Sequence, residues 1–183
     1  YADAYNKRGL ANYNLGNYNS AIDDYTSTIQ IDSSYTNAYY NRGLLYYNEG
    51  DYKNAIKDYT RVIRINPSYT NAYYKRGITN YDLGNYNSAI YNFTSVIRRK
   101  PNYANAYYKR GLANKKTENY QDAIDDYTVA IKINPNYTDA YYNRGLAKEA
   151  LKLSYCNDYK KACDLGFEIS CELYYSKCNN TSE

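Results

Sequence analysis

The sequence predicts an all-α fold in which helical hairpins repeat along the chain as a solenoid. Glycines stand 34 residues apart throughout, at Gly9, Gly43, Gly77, Gly111 and Gly145. A fixed period of this length indicates two-helix units that bury their apolar faces against their neighbours. Within each period, apolar residues recur at helical spacing on both sides of one break. These observations together favour a chain of stacked hairpins.

The second period shows how one hairpin is built. Ala38, Tyr39 and Gly43 fall on one face of a first helix. The Gly50-Asp51 pair then breaks the pattern, because glycine and aspartate favour turns. The second helix carries its apolar residues at Ala55, Ile56, Tyr59 and Ile63.

Domain boundaries follow from the register of the repeat. Tyr1 matches Tyr35 and Tyr69, so the chain divides into units at 1–34, 35–68, 69–102 and 103–136. Proline ends the second helix of units two to four, because it disfavours helix in the residue before it. These prolines are Pro67, Pro101 and Pro135.

The fifth unit, 137–166, begins normally and then loses two residues from the turn between its helices. On this alignment Cys156 and Cys163 occupy the places of Ile124 and Ile131 in unit four. We expect residues 167–183 to form a capping helix and tail, because the last repeat of a solenoid needs its apolar face covered.

The repeat resembles the tetratricopeptide repeat (TPR) family. Unit three carries that pattern of aromatic, glycine, alanine and proline positions at Tyr73, Gly77, Tyr81, Gly84, Tyr86, Ala89, Phe93 and Pro101. Departures are Tyr73 where the family often has Trp, Arg76 where it often has Leu, and Glu118 in place of a turn glycine. The resemblance implies a right-handed superhelix without enzymatic activity, whose first helices line a concave, partner-binding face.

Two charged columns run side by side through the repeats. The arginines are Arg8, Arg42, Arg76, Arg110 and Arg144, and the carboxylates are Asp24, Asp58, Asp126 and Asp158, with Asn92 in the place of the aspartate in unit three. We expect arginine and aspartate to pair between helices, because a half-buried guanidinium needs an acceptor. The alternative is that both columns are solvated.

All four cysteines lie near the carboxyl end of the chain, and their spacing is mirror-symmetric about Phe167, beside a break at Gly166. A helical hairpin turning there pairs Cys163 with Cys171 and Cys156 with Cys178. Reduced buried thiols, a four-thiolate zinc site and redox catalysis are the alternatives. Disulfides, together with the absence of Met, favour a secreted, extracellular or periplasmic protein, whereas reduced cysteines indicate a cytoplasmic one.

Composition weighs against several classes of function. The net charge is only +4, without a nucleic-acid-binding motif, and no apolar run is long enough for membrane insertion. The chain has no His, the commonest general base and metal ligand, so we expect no enzyme, cofactor or metal site. Asn-x-Ser/Thr sequons at Asn92, Asn136, Asn179 and Asn180 are candidate glycosylation sites, although chance explains them better in an asparagine-rich chain.

The outward columns of the first helices are the candidate partner-binding site on the concave face. They form a ladder of amides, phenols and lysines: Asn37, Tyr40, Asn41, Asn71, Tyr74, Lys75, Asn105, Tyr108, Lys109, Lys115 and Tyr142. Amides bond a peptide backbone of any sequence, phenol rings bury apolar groups, and lysines favour an acidic ligand. The alternative is that the tyrosines belong to the core of the repeat.

The sequence therefore predicts a scaffold that binds a protein or an extended peptide, and the lysines of the face favour an acidic one. A rival hypothesis is an extracellular structural protein that assembles head to tail into filaments. Its basis is that the first repeat begins in register at Tyr1, without a polar segment covering it. A contact of this kind that does not close on itself produces a filament.

Overall fold

The computed structural model describes residues 1–179, and this part of the chain is all-helical. It contains eleven helices and no strand, which confirms the predicted all-α fold of helical hairpins. None of these helices is long and apolar enough to cross a membrane. Their bounds are α1 Ala2–Asn14, α2 Tyr18–Ile31, α3 Thr36–Asn48, α4 Tyr52–Ile65, α5 Thr70–Asp82, α6 Tyr86–Arg99, α7 Ala104–Lys116, α8 Tyr120–Ile133, α9 Thr138–Ala150, α10 Cys156–Asp164 and α11 Glu168–Lys177.

The breaks between helices follow local backbone chemistry. Gly50 has φ of +79°, a left-handed conformation that glycine adopts without steric cost and that ends α3. In the fourth hairpin Glu118 adopts the same kind of conformation, with φ of +61°, so the turn survives the loss of the family glycine. At the other end of the hairpin, Asn66 is extended (φ −129°, ψ 91°), because Pro67 follows it.

By packing, the chain forms two bodies: Tyr1–Asn92 and the part that begins at Phe93. The first body has a core of Ala21, Tyr25, Ala38 and Leu45, with a further cluster of Tyr39, Val62 and Ala72. The second body has a core of Ala123, Ile124, Tyr127 and Ala147. Alanines recur in all three clusters because short side chains let neighbouring helices approach closely.

The two helices of a hairpin meet where a glycine faces an aromatic ring. A Cβ atom at Gly145 would lie 2.6 Å from Cε1 of Tyr159, and one at Gly43 would lie 2.9 Å from Cε1 of Tyr59. Both rings are fully buried. Any side chain at the glycine position therefore forces the helices apart or displaces the ring.

The predicted arginine–aspartate pairs are confirmed in four hairpins. The Nη2–Oδ1 distances are 2.6 Å for Arg8–Asp24, 2.9 Å for Arg42–Asp58, 2.6 Å for Arg110–Asp126 and 2.5 Å for Arg144–Asp158. In Arg42 the remaining nitrogen, Nη1, donates to Thr26 Oγ1 of the preceding hairpin at 2.9 Å. The same guanidinium thus links both helices of its hairpin to the hairpin before it.

The carboxyl-terminal helices carry two cysteine pairs at disulfide distance. The Sγ atoms of Cys156 and Cys178 lie 2.03 Å apart, and those of Cys163 and Cys171 lie 2.01 Å apart. These are the pairs that the mirror-symmetric spacing predicts. The chain turns between α10 and α11 at Gly166, whose φ is +91°. The ring of Phe167 packs on Tyr142 with 4.9 Å between centroids, so the segment after α10 covers part of the last hairpin.

Gly145→Ala tests the glycine–aromatic contact. Alanine normally stabilises a helix interior relative to glycine by about 1 kcal/mol. Here we expect a loss of about 1–3 kcal/mol in the free energy of unfolding, because the added methyl group overlaps the ring of Tyr159. Chemical denaturation measures the change. A variant more stable than the parent would show that a methyl group fits between the backbone at Gly145 and the ring of Tyr159.

The disulfides predict a mass about 4 Da lower in the non-reduced protein than in the reduced one. Replacing Cys156 and Cys178 by Ser should cost about 3 kcal/mol, and replacing Cys163 and Cys171 somewhat less, because the first pair closes the longer loop. Denaturation of the two double variants measures both losses. Equal masses before and after reduction would contradict the crosslinks.

Candidate functional site

The predicted site residues lie on the first helices of the hairpins, and we call this surface the first-helix face. In the first body it comprises residues of α3 and α5, and in the second body residues of α7 and α9. Three amides on it are exposed, at Asn37, Asn71 and Asn105. The remaining predicted residues are half-buried: Tyr40, Asn41, Tyr74, Lys75, Tyr108, Lys109, Lys115 and Tyr142.

The phenol rings of the face also contribute to packing between hairpins. Tyr40 has its ring centroid 6.0 Å from that of Tyr59 in its own hairpin and 5.2 Å from that of Tyr69 at the start of the next. Tyr108 is placed in the same way, 4.8 Å from Tyr137. Tyr40 and Tyr108 therefore combine the two alternatives that the sequence left open, because each ring packs between helices and remains partly exposed.

A small apolar cleft opens beside Asn41 of the first-helix face, between α1, α2 and α3 of the first body. It has a volume of about 80 Å³ and is lined by Leu10, Tyr13, Tyr25, Asn41 and Leu44. Leu10 is 47% exposed, so apolar surface is accessible at its rim. Tyr25 lies fully buried in its wall, and burial raises the pKa of its phenol while the neighbouring Asn41 opposes the shift. The cleft has room for one small apolar group.

Phenol–carboxylate hydrogen bonds join neighbouring hairpins of the first body. Tyr47 Oη donates to Asp82 Oδ2 at 2.6 Å, and Tyr35 Oη donates to Asp3 Oδ1 at 3.0 Å. Burial raises the pKa of Tyr47, and the hydrogen bond to Asp82 raises it further. The Tyr47 contact fixes α3 against α5 and therefore the spacing between the amides and phenols that these two helices present. The Tyr35 contact fixes the start of α3 against α1.

In the second body, the hydrogen-bond partner of Lys115 is an amide rather than a carboxylate. Lys115 Nζ donates to Asn143 Oδ1 at 2.6 Å. The Nδ2 of Asn143 donates to the Tyr108 hydroxyl at 3.3 Å and to the Asp139 carbonyl at 2.9 Å. Burial lowers the pKa of Lys115, and the charge of Lys116 lowers it further. The ammonium group is thus partly desolvated, and no carboxylate of residues 1–179 forms an ion pair with it.

The other two lysines of the face share this lack of a counterion. Neither Lys75 nor Lys109 is part of an ion pair in residues 1–179. The site prediction had not included Asn143, which is buried and organises the contacts of Lys115. Its position in the same column as Lys75 and Lys109 is the signal that pointed to it.

The sequons differ in accessibility. Asn92 is only 2% exposed, and its Nδ2 donates to the Ser88 carbonyl at 2.7 Å, so the folded protein does not offer it for glycosylation. Asn136 and Asn179 are exposed. Asn180 lies outside the described residues. No group of three or more potential metal ligands comes together in residues 1–179.

Comparison with known structures gives neighbours along almost the whole chain. The crystal structure of MamA protein has a TM-score of 0.86 at 26% identity, covering 97% of this chain and 94% of that one. The structure of MamA 41-end from Desulfovibrio magneticus RS-1 has a TM-score of 0.80 at 22% identity, with 97% of each chain covered.

A further neighbour is YrrB, described as a TPR protein with an unusual peptide-binding site. Its TM-score is 0.84 at 18% identity, covering 92% of this chain and 89% of that one. At this identity the likeness shows the fold alone. Comparison with curated protein sequences gives no significant match.

Two family models match the sequence. The one described as tetratricopeptide repeat matches residues 36–69, and the one described as TPR repeat matches residues 13–50, 79–118 and 115–152. The matched segments together span most of the helical hairpins, and the match at residues 36–69 has the length of one 34-residue period. The chain belongs to the tetratricopeptide repeat family.

Proposed function

We propose that this protein is a non-enzymatic scaffold that binds an acidic, extended segment of a partner protein on its first-helix face. The observation that carries the proposal is the environment of Lys115, whose half-buried ammonium has an amide as its hydrogen-bond partner. A desolvated cation without a counterion gains most when an anion arrives. A carboxylate of the partner supplies that anion.

The other groups of the face suit a polypeptide backbone. Asn37, Asn71 and Asn105 each expose an amide, which donates and accepts hydrogen bonds. A peptide backbone offers the complementary groups whatever its side chains are. The cleft beside Leu10 and Leu44 accommodates a small apolar side chain of the same segment. Affinity then comes from the backbone and selectivity from the lysines and the cleft.

The comparisons support the general class of this function. The family's members share the hairpin architecture, and YrrB is described as having a peptide-binding site. The buried carboxylates Asp24 and Asp126 are held by Arg8 and Arg110. We therefore assign these carboxylates to stability and the outward-facing amides and lysines to binding.

We also propose that the protein works in an oxidising compartment, either extracellular or periplasmic. The support is the pairing of Cys156 with Cys178 and of Cys163 with Cys171, since disulfides persist mainly outside the reducing cytosol. The first pair joins the start of α10 to the residue after α11.

Lys115→Gln tests the proposed anchor. We expect about fivefold to tenfold weaker binding of an acidic peptide, because the substitution removes the desolvated charge and keeps a polar head on a slightly shorter side chain. The probe is a set of fluorescein-labelled peptides of equal length with acidic, neutral or basic side chains, and fluorescence anisotropy measures their affinities. Binding of the acidic set should also weaken with added salt.

Lys132→Gln is the matched control, because Lys132 is exposed on the second helix α8, away from the first-helix face. This variant should lose only the small amount of affinity that follows from lowering the net charge of the protein by one unit. Equal losses for the two variants would show that net charge, rather than the site around Lys115, governs binding. Preference for the basic peptides would contradict the proposal directly.

Head-to-tail assembly is the second candidate function, and one observation favours it. The side chain of Arg8 in α1 is 66% exposed, against 16% for Arg42, which the preceding hairpin covers. Beside Arg8 lies a cleft of about 250 Å³, lined also by Tyr1, Ala4 and Tyr5. A second copy of the chain could cover this surface as a preceding hairpin covers Arg42.

Light scattering over a range of protein concentrations separates the two functions. The scaffold predicts a constant molecular mass, whereas assembly predicts a mass that rises with concentration. Tyr5→Ser should abolish that rise, since it removes apolar surface from the cleft beside Arg8. A rise that survives this substitution would exclude the surface of α1 as the contact.

A further inference from the structure

The arginine column has one member without a carboxylate partner. Arg76 Nε donates to Asn92 Oδ1 at 2.9 Å, and Nη1 donates to Thr60 Oγ1 at 3.0 Å. The second contact reproduces that of Arg42 with Thr26. The contact with Asn92 differs from those with aspartate, because an amide has one acceptor oxygen whereas a carboxylate has two. In the described residues 1–179 no acceptor lies opposite Nη2 of Arg76, the nitrogen that the other four hairpins pair with aspartate.

The amide of Asn92 is held in this orientation. Its Nδ2 donates to the Ser88 carbonyl at 2.7 Å, and the residue is 2% exposed. A rotation that brought Nδ2 towards the guanidinium would set donor against donor and break both hydrogen bonds. Asn92 therefore satisfies one edge of Arg76 and leaves the charge uncompensated.

This missing charge distinguishes Arg76 from its counterparts. At Arg42 and at Arg110 burial acts to lower the pKa of the guanidinium, but the hydrogen bonds and charge of the aspartate outweigh it and the pKa rises. At Arg76 burial lowers the pKa, and only the phenols of Tyr73 and Tyr91 oppose it. Arginine remains protonated in proteins, so the half-buried group is a cation that no carboxylate of residues 1–179 pairs with.

Arg76 lines an open cleft of about 420 Å³ between α4, α5 and α6 in the first body. The lining contains no acidic residue, and Arg76 is its only charged side chain. The other groups are one apolar residue, a phenol that is 65% exposed, and hydroxyls and amides. They are Ile56, Tyr91, Thr60, Ser88, Asn80, Asn87 and Asn92. Asn87 and Ser88 belong to the first turn of α6, where the helix dipole favours anions.

We propose that this cleft binds a carboxylate of a partner polypeptide, which takes the place of the aspartate missing from the third hairpin. The ligand oxygen accepts from Nη2 of Arg76, and the amides and hydroxyls of the lining bond the adjoining backbone. A carboxylate suits the site better than a phosphate, since one cation balances one negative charge, whereas phosphate recognition usually recruits several cations.

The cleft is separate from the first-helix face. None of its lining residues belongs to the residues assigned to the first-helix face, so the experiment on one site can fail without affecting the other. Both sites favour acidic polypeptides, and the positive net charge of the chain favours the same partners at longer range. The cleft adds a second point of attachment, on the side formed by the second helices α4 and α6.

Sodium acetate is the probe for the carboxylate, with acetamide as its neutral control and inorganic phosphate as the competing anion. Two-dimensional ¹H–¹⁵N NMR of the full chain at constant ionic strength follows the Nε–H signal of Arg76 and the amide signals of Ser88 and Tyr91. We expect saturable shifts with acetate and none with acetamide. Absence of shifts with acetate would overturn the proposal, and stronger shifts with phosphate would overturn the choice of carboxylate.

Asn92→Asp is the matched variant, because it restores the pair that the other hairpins contain and should therefore fold. We expect the affinity of this variant for acetate to be lower by about tenfold or more, since the internal carboxylate occupies the site. Asp58→Asn makes the converse change at Arg42 and should create an acetate-dependent shift of the Arg42 Nε–H signal.

Thermal unfolding provides a second readout that does not depend on signal assignment. Acetate should raise the Tm of the parent more than that of Asn92→Asp, because a ligand stabilises only the state that binds it. This comparison decides the question if Asp58→Asn fails to fold. Unchanged acetate binding in Asn92→Asp would show that the anion does not occupy the place of the aspartate, and would overturn the proposal.

Discussion

The close approach of a glycine to an aromatic ring is the constraint on which the rest of the structure depends. At Gly43 and Gly145 the missing side chain lets the second helix bring its ring against the backbone of the first. This contact fixes the rotation of both helices about their axes. Once the inward residues are set, the outward residues are set as well, since side chains one turn apart share a face. The surface of amides, phenols and lysines is therefore a consequence of how each hairpin closes.

Charge imposes a second constraint, across hairpins rather than within them. Arg42 bonds Asp58 in its own hairpin and Thr26 in the one before, so a single guanidinium keeps two hairpins in register. A half-buried cation of this kind tolerates little change around it, because a lost partner leaves its desolvation uncompensated. In the third hairpin Arg76 still donates a hydrogen bond to Asn92, but Asn92 carries no negative charge to balance the guanidinium. Because Asn92 stands in the place of an aspartate, Arg76 of this structural column becomes a candidate for binding a partner.

The sequence contained most of the fold because each element depends on spacing along the chain. Helical periodicity and the glycine series predict the hairpins, and the mirror-symmetric cysteines predict which residues α10 and α11 bring together. The contacts of Tyr47 with Asp82 and of Lys115 with Asn143 were not predictable in this way. They join residues of different hairpins and depend on side-chain conformations that a repeat pattern does not encode. Asn92 was visible as an exception, but the cleft beside it requires three helices in place.

The burial of phenols against the glycines gives the protein an optical property. The chain has 30 tyrosines and no tryptophan, so its near-ultraviolet absorption comes almost entirely from phenol rings. Burial raises the pKa of Tyr25 and of Tyr59, which holds these hydroxyls neutral at alkalinity that ionises a solvated phenol. Phenolate absorbs at longer wavelength than phenol. The late-ionising part of an alkaline absorbance titration therefore reports on closure of the hairpins themselves, and the protein needs no added label.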